Sequence, residues 1–120
     1  MGCGASNYVL HKNINDDELL YKIISEEEWK ESLRNSYLLK TGKDMKKGYI
    51  HCLFYNQIDN VERKKSDRNV VLTLSKRKIN ENGFTVRYEK NLKGDIYPHI
   101  YAIKEDDRLP LETILAHSFL

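Results

Sequence analysis

The run Val70-Val71-Leu72-Thr73-Leu74 constrains this chain more than any other stretch. It is apolar almost throughout, and short apolar runs rich in β-branched residues read as strands. A strand with apolar side chains on both faces has to be covered on both, which places it at the centre of a sheet. The rest of the chain must supply the neighbours and the cover.

Leu20-Tyr21-Lys22-Ile23-Ile24 is a strand by its β-branched and aromatic content. Ser25 follows as an N-cap with Glu28 three residues on, a capping box with acids in the first turn. The helix it opens runs to about Asn35, with Trp29 and Leu33 four apart on one face. Tyr37-Leu38-Leu39 is a short extended piece, and Lys43 to Lys47 reads as a polar loop closed by Gly48. Tyr49 to Leu53 is a strand, and Tyr55 to Lys65 a second helix with Ile58 and Val61 inward. Asn80 to Gly83 is a turn, Thr85 to Glu89 a strand, and Gly94 marks a loop. Tyr97 to Ile103 is a strand with Pro98 near its start, where a missing donor is tolerated. Leu109 to Leu111 turns the chain into a last strand or short helix, Thr113 to Phe119. The fold class is α+β, a small mixed or antiparallel sheet of five to six strands with two short helices.

A length of 120 residues suits one domain. Lys and Arg number 20 against 18 Asp and Glu, a balance that gives no electrostatic argument for nucleic acid. No apolar run reaches the length of a membrane span, and no secretory signal opens the chain. Cys3 and Cys52 are the two cysteines, and their placement in a tail and a strand suits a reducing cytosol. Closely spaced metal-ligand pairs are missing, so no metal is expected. Glycine-rich phosphate loops and nucleophile elbows are also missing.

The chain starts Met1-Gly2-Cys3-Gly4-Ala5-Ser6, which matches the signal for myristoylation of Gly2. Cys3 stands next to the myristate and can take a palmitate. One myristoyl chain binds membrane only reversibly, with a constant of about 10⁴ M⁻¹, and a second makes the anchor stable. Residues 1–19 are therefore expected to be an acylated tether and residues 20–120 the single domain. Membrane lipid is the expected partner, and the cytoplasmic face of a membrane the expected location.

Strand neighbours point to opposite faces, which sorts the remaining chemistry. His51 lies on one face with Tyr49 and Leu53, while Ile50 and Cys52 take the other. His99 lies with Tyr97 and Tyr101, away from Pro98 and Ile100. Arg87 lies with Glu89, away from Val86 and Tyr88. If the three polar faces converge, they form a site with two imidazoles, a carboxylate, a guanidinium and several rings. Cys52 is sent to the opposite face from His51 and reads as a small buried hydrophobe rather than a nucleophile.

These segments resemble a known family. Leu20-Tyr21-Lys22-Ile23-Ile24-Ser25 followed by Glu28-Trp29 is similar to the opening motif of the domain of unknown function 952 family. Gly48-Tyr49-Ile50-His51, the pair Tyr88-Glu89, and Tyr97-Pro98-His99-Ile100-Tyr101 resemble its later motifs, in order, from Leu20 to about Leu115. The resemblance implies a fold of the ADP-ribosyltransferase-like kind and NAD as a possible cofactor or nucleotide ligand. By that resemblance His51 would bind a ribose hydroxyl, and Tyr97 or Tyr101 would stack on the nicotinamide-like ring. Glu89 would steer the acceptor and Arg87 would meet the pyrophosphate, while His99 has no counterpart. His51, Glu89 and His99 are the candidate catalytic residues, and Tyr49, Arg87, Tyr97 and Tyr101 the candidate ligand-binding ones. Leu53 departs from the family, which carries a small hydroxyl residue there. Two functions follow as expectations: a membrane-tethered enzyme of ADP-ribosyl or phosphoryl transfer, or a membrane-anchored module that binds a ligand or protein without catalysis.

Overall fold

The computed structural model describes residues 17–61 and 68–120. Within them the elements run β1 (Leu19–Ser25), α1 (Glu26–Asn35), β2 (Tyr37–Leu38), α2 (Gly42–Lys47) and β3 (Ile50–His51). A 3-10 turn (Tyr55–Asn60) leads to β4 (Asn69–Ser75), α3 (Lys76–Glu81), β5 (Phe84–Lys90) and β6 (Ile96–Ala102). The chain closes with β7 (Leu109–Pro110), a second 3-10 turn (Leu111–Thr113) and β8 (Ile114–Phe119). The α+β class stands, with eight strands and three short α-helices among the described residues rather than five or six and two. Gly2 and Cys3 lie outside the described residues.

Val70-Val71-Leu72-Thr73-Leu74 does occupy the middle of a sheet. β4 lies between β1 and β8, antiparallel to both. Val70, Leu72 and Leu74 are fully buried on its inner face, and Val71 is buried on the other. A second three-stranded sheet has the order β3-β6-β5, and β2 pairs with β7 in a small third one. The two larger sheets are stitched together where Tyr21 and Leu53 exchange both backbone hydrogen bonds, at 2.9 and 2.6 Å. The core between them is built from Leu20, Ile24, Leu72, Ile50, Phe84 and Ile100, among others.

The capping box at α1 is present as the sequence predicts. The Glu28 N–H donates to Ser25 Oγ at 3.1 Å, and the Ser25 N–H donates to Glu28 Oε1 at 2.8 Å. Trp29 is buried as expected, but Leu33 is half exposed, and Ser32 takes the inner position instead. The Ser32 hydroxyl donates to the Glu28 carbonyl at 2.9 Å and accepts the Leu39 N–H at 3.0 Å, which fixes the turn into β2.

Three sequence expectations need correction. Lys43 to Lys47 is part of helix α2, not a loop. Its signal is a second capping box, Thr41 with Asp44, and Gly48 ends it at φ 80° in the left-handed region that favours glycine. The segment from Tyr55 forms a 3-10 turn with no buried residue, because its apolar positions do not recur at helical spacing strongly enough to bury a face. The turn at Asn80 to Gly83 is the end of a third helix, α3, capped by Ser75 and packed through the fully buried Ile79.

Among the described residues, no helix is long and apolar enough to cross a membrane.

Candidate functional site

The polar residues singled out above come together on one face of the β3-β6-β5 sheet. His51 pairs with His99 across β3 and β6, and His99 pairs with Arg87 across β6 and β5, so three ionisable side chains form one row. Tyr97 and Glu89 are opposite each other in the adjacent row, and Tyr101 stands in the row beyond. Ile50, Ile100 and Val86 occupy the opposite face and point into the core. The period-two pattern thus assigned every one of these side chains to its correct face.

The row is joined by hydrogen bonds. His51 Nδ1 lies 3.2 Å from His99 Nε2, and His99 Nδ1 lies 2.7 Å from Glu89 Oε1. The Tyr101 hydroxyl donates to that same carboxylate oxygen at 2.5 Å. Tyr49 stacks on the His99 ring with centroids 4.0 Å apart, and His99 is buried beneath it. Tyr97 leans against the His51 ring at 5.0 Å. The Arg87 guanidinium covers the Tyr101 ring at 4.5 Å.

His51 is where this face meets a cleft of about 690 Å³. Lys22, Lys43, Asp44, Lys47 and Leu53 share the cleft wall with it. Glu89, Arg87, His99, Tyr49, Tyr97 and Tyr101 do not line the cleft; they stand beside or behind His51. Among the described residues the cations at the cleft are therefore lysines, while Arg87 serves Tyr101.

A buried ion pair holds His51 in place. Lys22 Nζ and Asp44 Oδ2 are 2.9 Å apart, with both side chains almost wholly removed from solvent. Lys22 Nζ also donates to the His51 carbonyl at 2.9 Å, and the His51 N–H donates to Asp44 Oδ1 at 3.1 Å. The Thr41 N–H donates to Asp44 Oδ2 at 3.2 Å, tying the start of α2 into the same network. Lys22 and Asp44 escaped the sequence reading. The available signal was a lysine at an inward position of β1, between Leu20 and Ile24, and an Asp three residues after Thr41.

The electrostatics follow from burial and neighbours. Burial pushes the His51 imidazole down to about 4, helped by His99, Lys22 and Lys47 and opposed by Asp44. The hydrogen bonds from Tyr101 and His99 hold the Glu89 carboxyl below its usual range, so it is a carboxylate at neutral pH. Burial and the Glu89 carboxylate push Tyr101 up to about 12, and burial with the same carboxylate raises Tyr49. Cys52 is fully buried and its thiol is pushed up to about 12, which suits an inert core residue. Among the described residues, no group of three or more His, Cys, Asp or Glu side chains is placed to hold a metal ion.

The family model described as a protein of unknown function, DUF952, matches residues 23–117. The chain belongs to the DUF952 family. The matched span contains His51, His99, Glu89, Arg87, Tyr49, Tyr97, Tyr101 and Asp44, and Lys22 stands one residue before it. Protein CC0527 from Caulobacter crescentus, solved by X-ray crystallography, is similar at a TM-score of 0.67 and 23% identity, over 85% of each chain. Its solution NMR structure is similar at 0.62 and 22%, over 83% of this chain and 82% of that one. These likenesses show a shared fold. No curated protein matches the chain.

Three outcomes follow from the geometry and its electrostatics. Asp44→Ala leaves Lys22 buried without a partner, and should cost about 3–5 kcal/mol in urea-induced unfolding; a loss of under about 1 kcal/mol would mean the clamp is dispensable. His51 should remain neutral by NMR titration down to about pH 4. Because an unfolded histidine titrates at about 6.5, this group's contribution to stability is whole above that pH and lost as pH falls from there toward 4. His99→Gln should raise the His51 midpoint toward the ordinary value, and an unmoved midpoint would remove His99 as a cause.

Proposed function

We propose that the domain binds a nucleotide of the NAD class in the cleft at His51, and acts on it as an ADP-ribosyl-transferring enzyme. The observation that carries the reading is the hydrogen-bonded line from His51, at the cleft, through His99 to the Glu89 carboxylate. A neutral imidazole at the wall of a cleft is a good partner for a ribose hydroxyl, because it can donate or accept. Lys43 and Lys47 on the same wall are placed to meet the pyrophosphate. Tyr97 leans on His51 from outside the cleft lining, so of the two candidate rings it is the nearer to a cationic nicotinamide, while Tyr101 carries Arg87 on its face. Glu89 would act through His99 rather than on the ligand directly.

Breaking the nicotinamide–ribose bond builds positive charge on the sugar, and hydrogen-bonded carboxylate at the end of a relay favours that charge. The competing reading is a binding module without catalysis. Leu53 favours it, because an apolar side chain lines the cleft at the position where the family resemblance implies a small hydroxyl residue.

Adding NAD to the purified domain should shift the ring signals of His51 and His99 in NMR spectra, and incubation should release nicotinamide. Shifts without release would favour the binding module. No perturbation at millimolar NAD would remove the nucleotide reading altogether.

The amino terminus carries a separate proposal, that myristate on Gly2 and palmitate on Cys3 hold the domain at the cytoplasmic face of a membrane. Its support is the match of Met1 to Ser6 to the acylation signal. Feeding cells an alkyne myristate should label the wild type and leave Gly2→Ala unlabelled; label retained by Gly2→Ala would defeat the idea.

A further inference from the structure

The relay fixes more than the position of His51; it fixes its protons. Glu89 is a carboxylate and can only accept, so the His99 Nδ1–H donates to it. In the neutral form of His99, which the relay requires at rest, Nδ1 is the donor and Nε2 is left as a lone pair. With His99 in that form, the nitrogen 3.2 Å away, His51 Nδ1, carries the hydrogen and donates it. His51 Nε2 is then the bare nitrogen. It has no hydrogen-bond partner among the described residues, and no buried polar side-chain atom among them lacks one, so Nε2 reaches solvent, and His51 lines the cleft.

We propose that His51 is a general base, its bare Nε2 taking a proton from the hydroxyl of an anionic ligand in the cleft, with His99 and Glu89 as positioning residues. In the step, the ligand O–H bond breaks and leaves its electron pair on oxygen, while an N–H bond forms at His51 Nε2. The His51 Nδ1 proton passes to His99 Nε2. The net product is a ligand oxyanion and a His99 imidazolium already paired with the Glu89 carboxylate at 2.7 Å. The charge thus moves away from the cleft, where Lys22 and Lys47 oppose a cation on His51, to a buried ring with a carboxylate beside it. Lys43 and Lys47 on the cleft wall select an anionic ligand and favour the oxyanion. Tyr49, stacked on His99, keeps the receiving ring dry.

The groups facing His51 are Lys22 from β1, Asp44 and Lys47 from α2, and His99 and Tyr97 from β6. This arrangement defines a hydroxyl-bearing anion as the ligand class whether or not the nucleotide is NAD.

Diethyl pyrocarbonate tests the proposal on the unliganded full chain, because it acylates bare imidazole nitrogens and displaces ethyl carbonate. Peptide mapping with NMR of the modified ring gives the site and the nitrogen. His51 should be labelled at Nε2 alone. Its labelling rate should hold nearly constant from pH 7.5 to 5.5, whereas the rate of free N-acetylhistidine in the same solution should fall about tenfold. His99→Phe keeps a ring under Tyr49 and removes the acceptor, so His51 should then be labelled at both nitrogens. Glu89→Gln keeps an acceptor for His99 and should preserve the Nε2 selectivity. Labelling of wild-type His51 at Nδ1, or a rate that falls with pH as that of the free imidazole does, would overturn the proposal, and either result is readable even if a variant fails to fold. Neither result depends on NAD, so failure here and failure of the nucleotide reading are distinguishable.

Discussion

The pair Lys22–Asp44 is the contact on which the site depends. β3 is two residues long and lies at the edge of its sheet, so one side of it has no neighbouring strand. Lys22 and Asp44 stand where that strand would be and take the carbonyl and the N–H of His51. The consequence reaches the side chains. With its own backbone groups committed outward, His51 faces His99 as a non-hydrogen-bonded antiparallel pair, the kind in which side chains approach most closely. The 3.2 Å contact between the imidazoles follows from that geometry. Two charges buried together are weak grounds for extra stability, since desolvation offsets their attraction. Their clear product here is placement: one β1 side chain and one α2 side chain fix a third element.

Much of this was legible in the sequence, and the reason is the two-residue period of a strand. Alternation alone put His51, His99, Glu89, Arg87 and the three tyrosines on faces opposite Ile50, Ile100 and Val86. The continuous apolar run from Val70 to Leu74 announced a central strand. What alternation does not carry is which strands are neighbours and in what register. That His51, His99 and Arg87 share a row, with Glu89 one row away, is set by the pairing of β3, β6 and β5. The cleft was illegible for a different reason. Its wall comes from α2, and a six-residue helix has too few positions for an amphipathic period to emerge. Only its capping box betrays it, and Thr41 with Asp44 is a weaker form of the pattern than Ser25 with Glu28. Lys22 looked like an ordinary strand lysine because its partner arrives from that unseen helix.

The likeness to CC0527 and membership in DUF952 place the fold and the motifs, and the chemistry has to come from the residues themselves. Those residues separate two tasks. The cleft, with its lysines and His51, can meet a ligand. The sheet face behind it, with His99, Glu89, Tyr101 and the covering Tyr49, is hydrogen-bonded to His51, which among the described residues is the imidazole that lines the cleft. A carboxylate two hydrogen bonds away from His51 is thereby connected to the cleft without lining it.

The imidazole–imidazole hydrogen bond is the joint between those two tasks, and it can be observed directly. In ¹⁵N-labelled protein at neutral pH, scalar coupling across the hydrogen bond between His51 Nδ1 and His99 Nε2 should be resolved, with His51 in a single tautomer protonated at Nδ1. Absence of that coupling, together with two histidines that each show an ordinary mixture of tautomers, would contradict the relay.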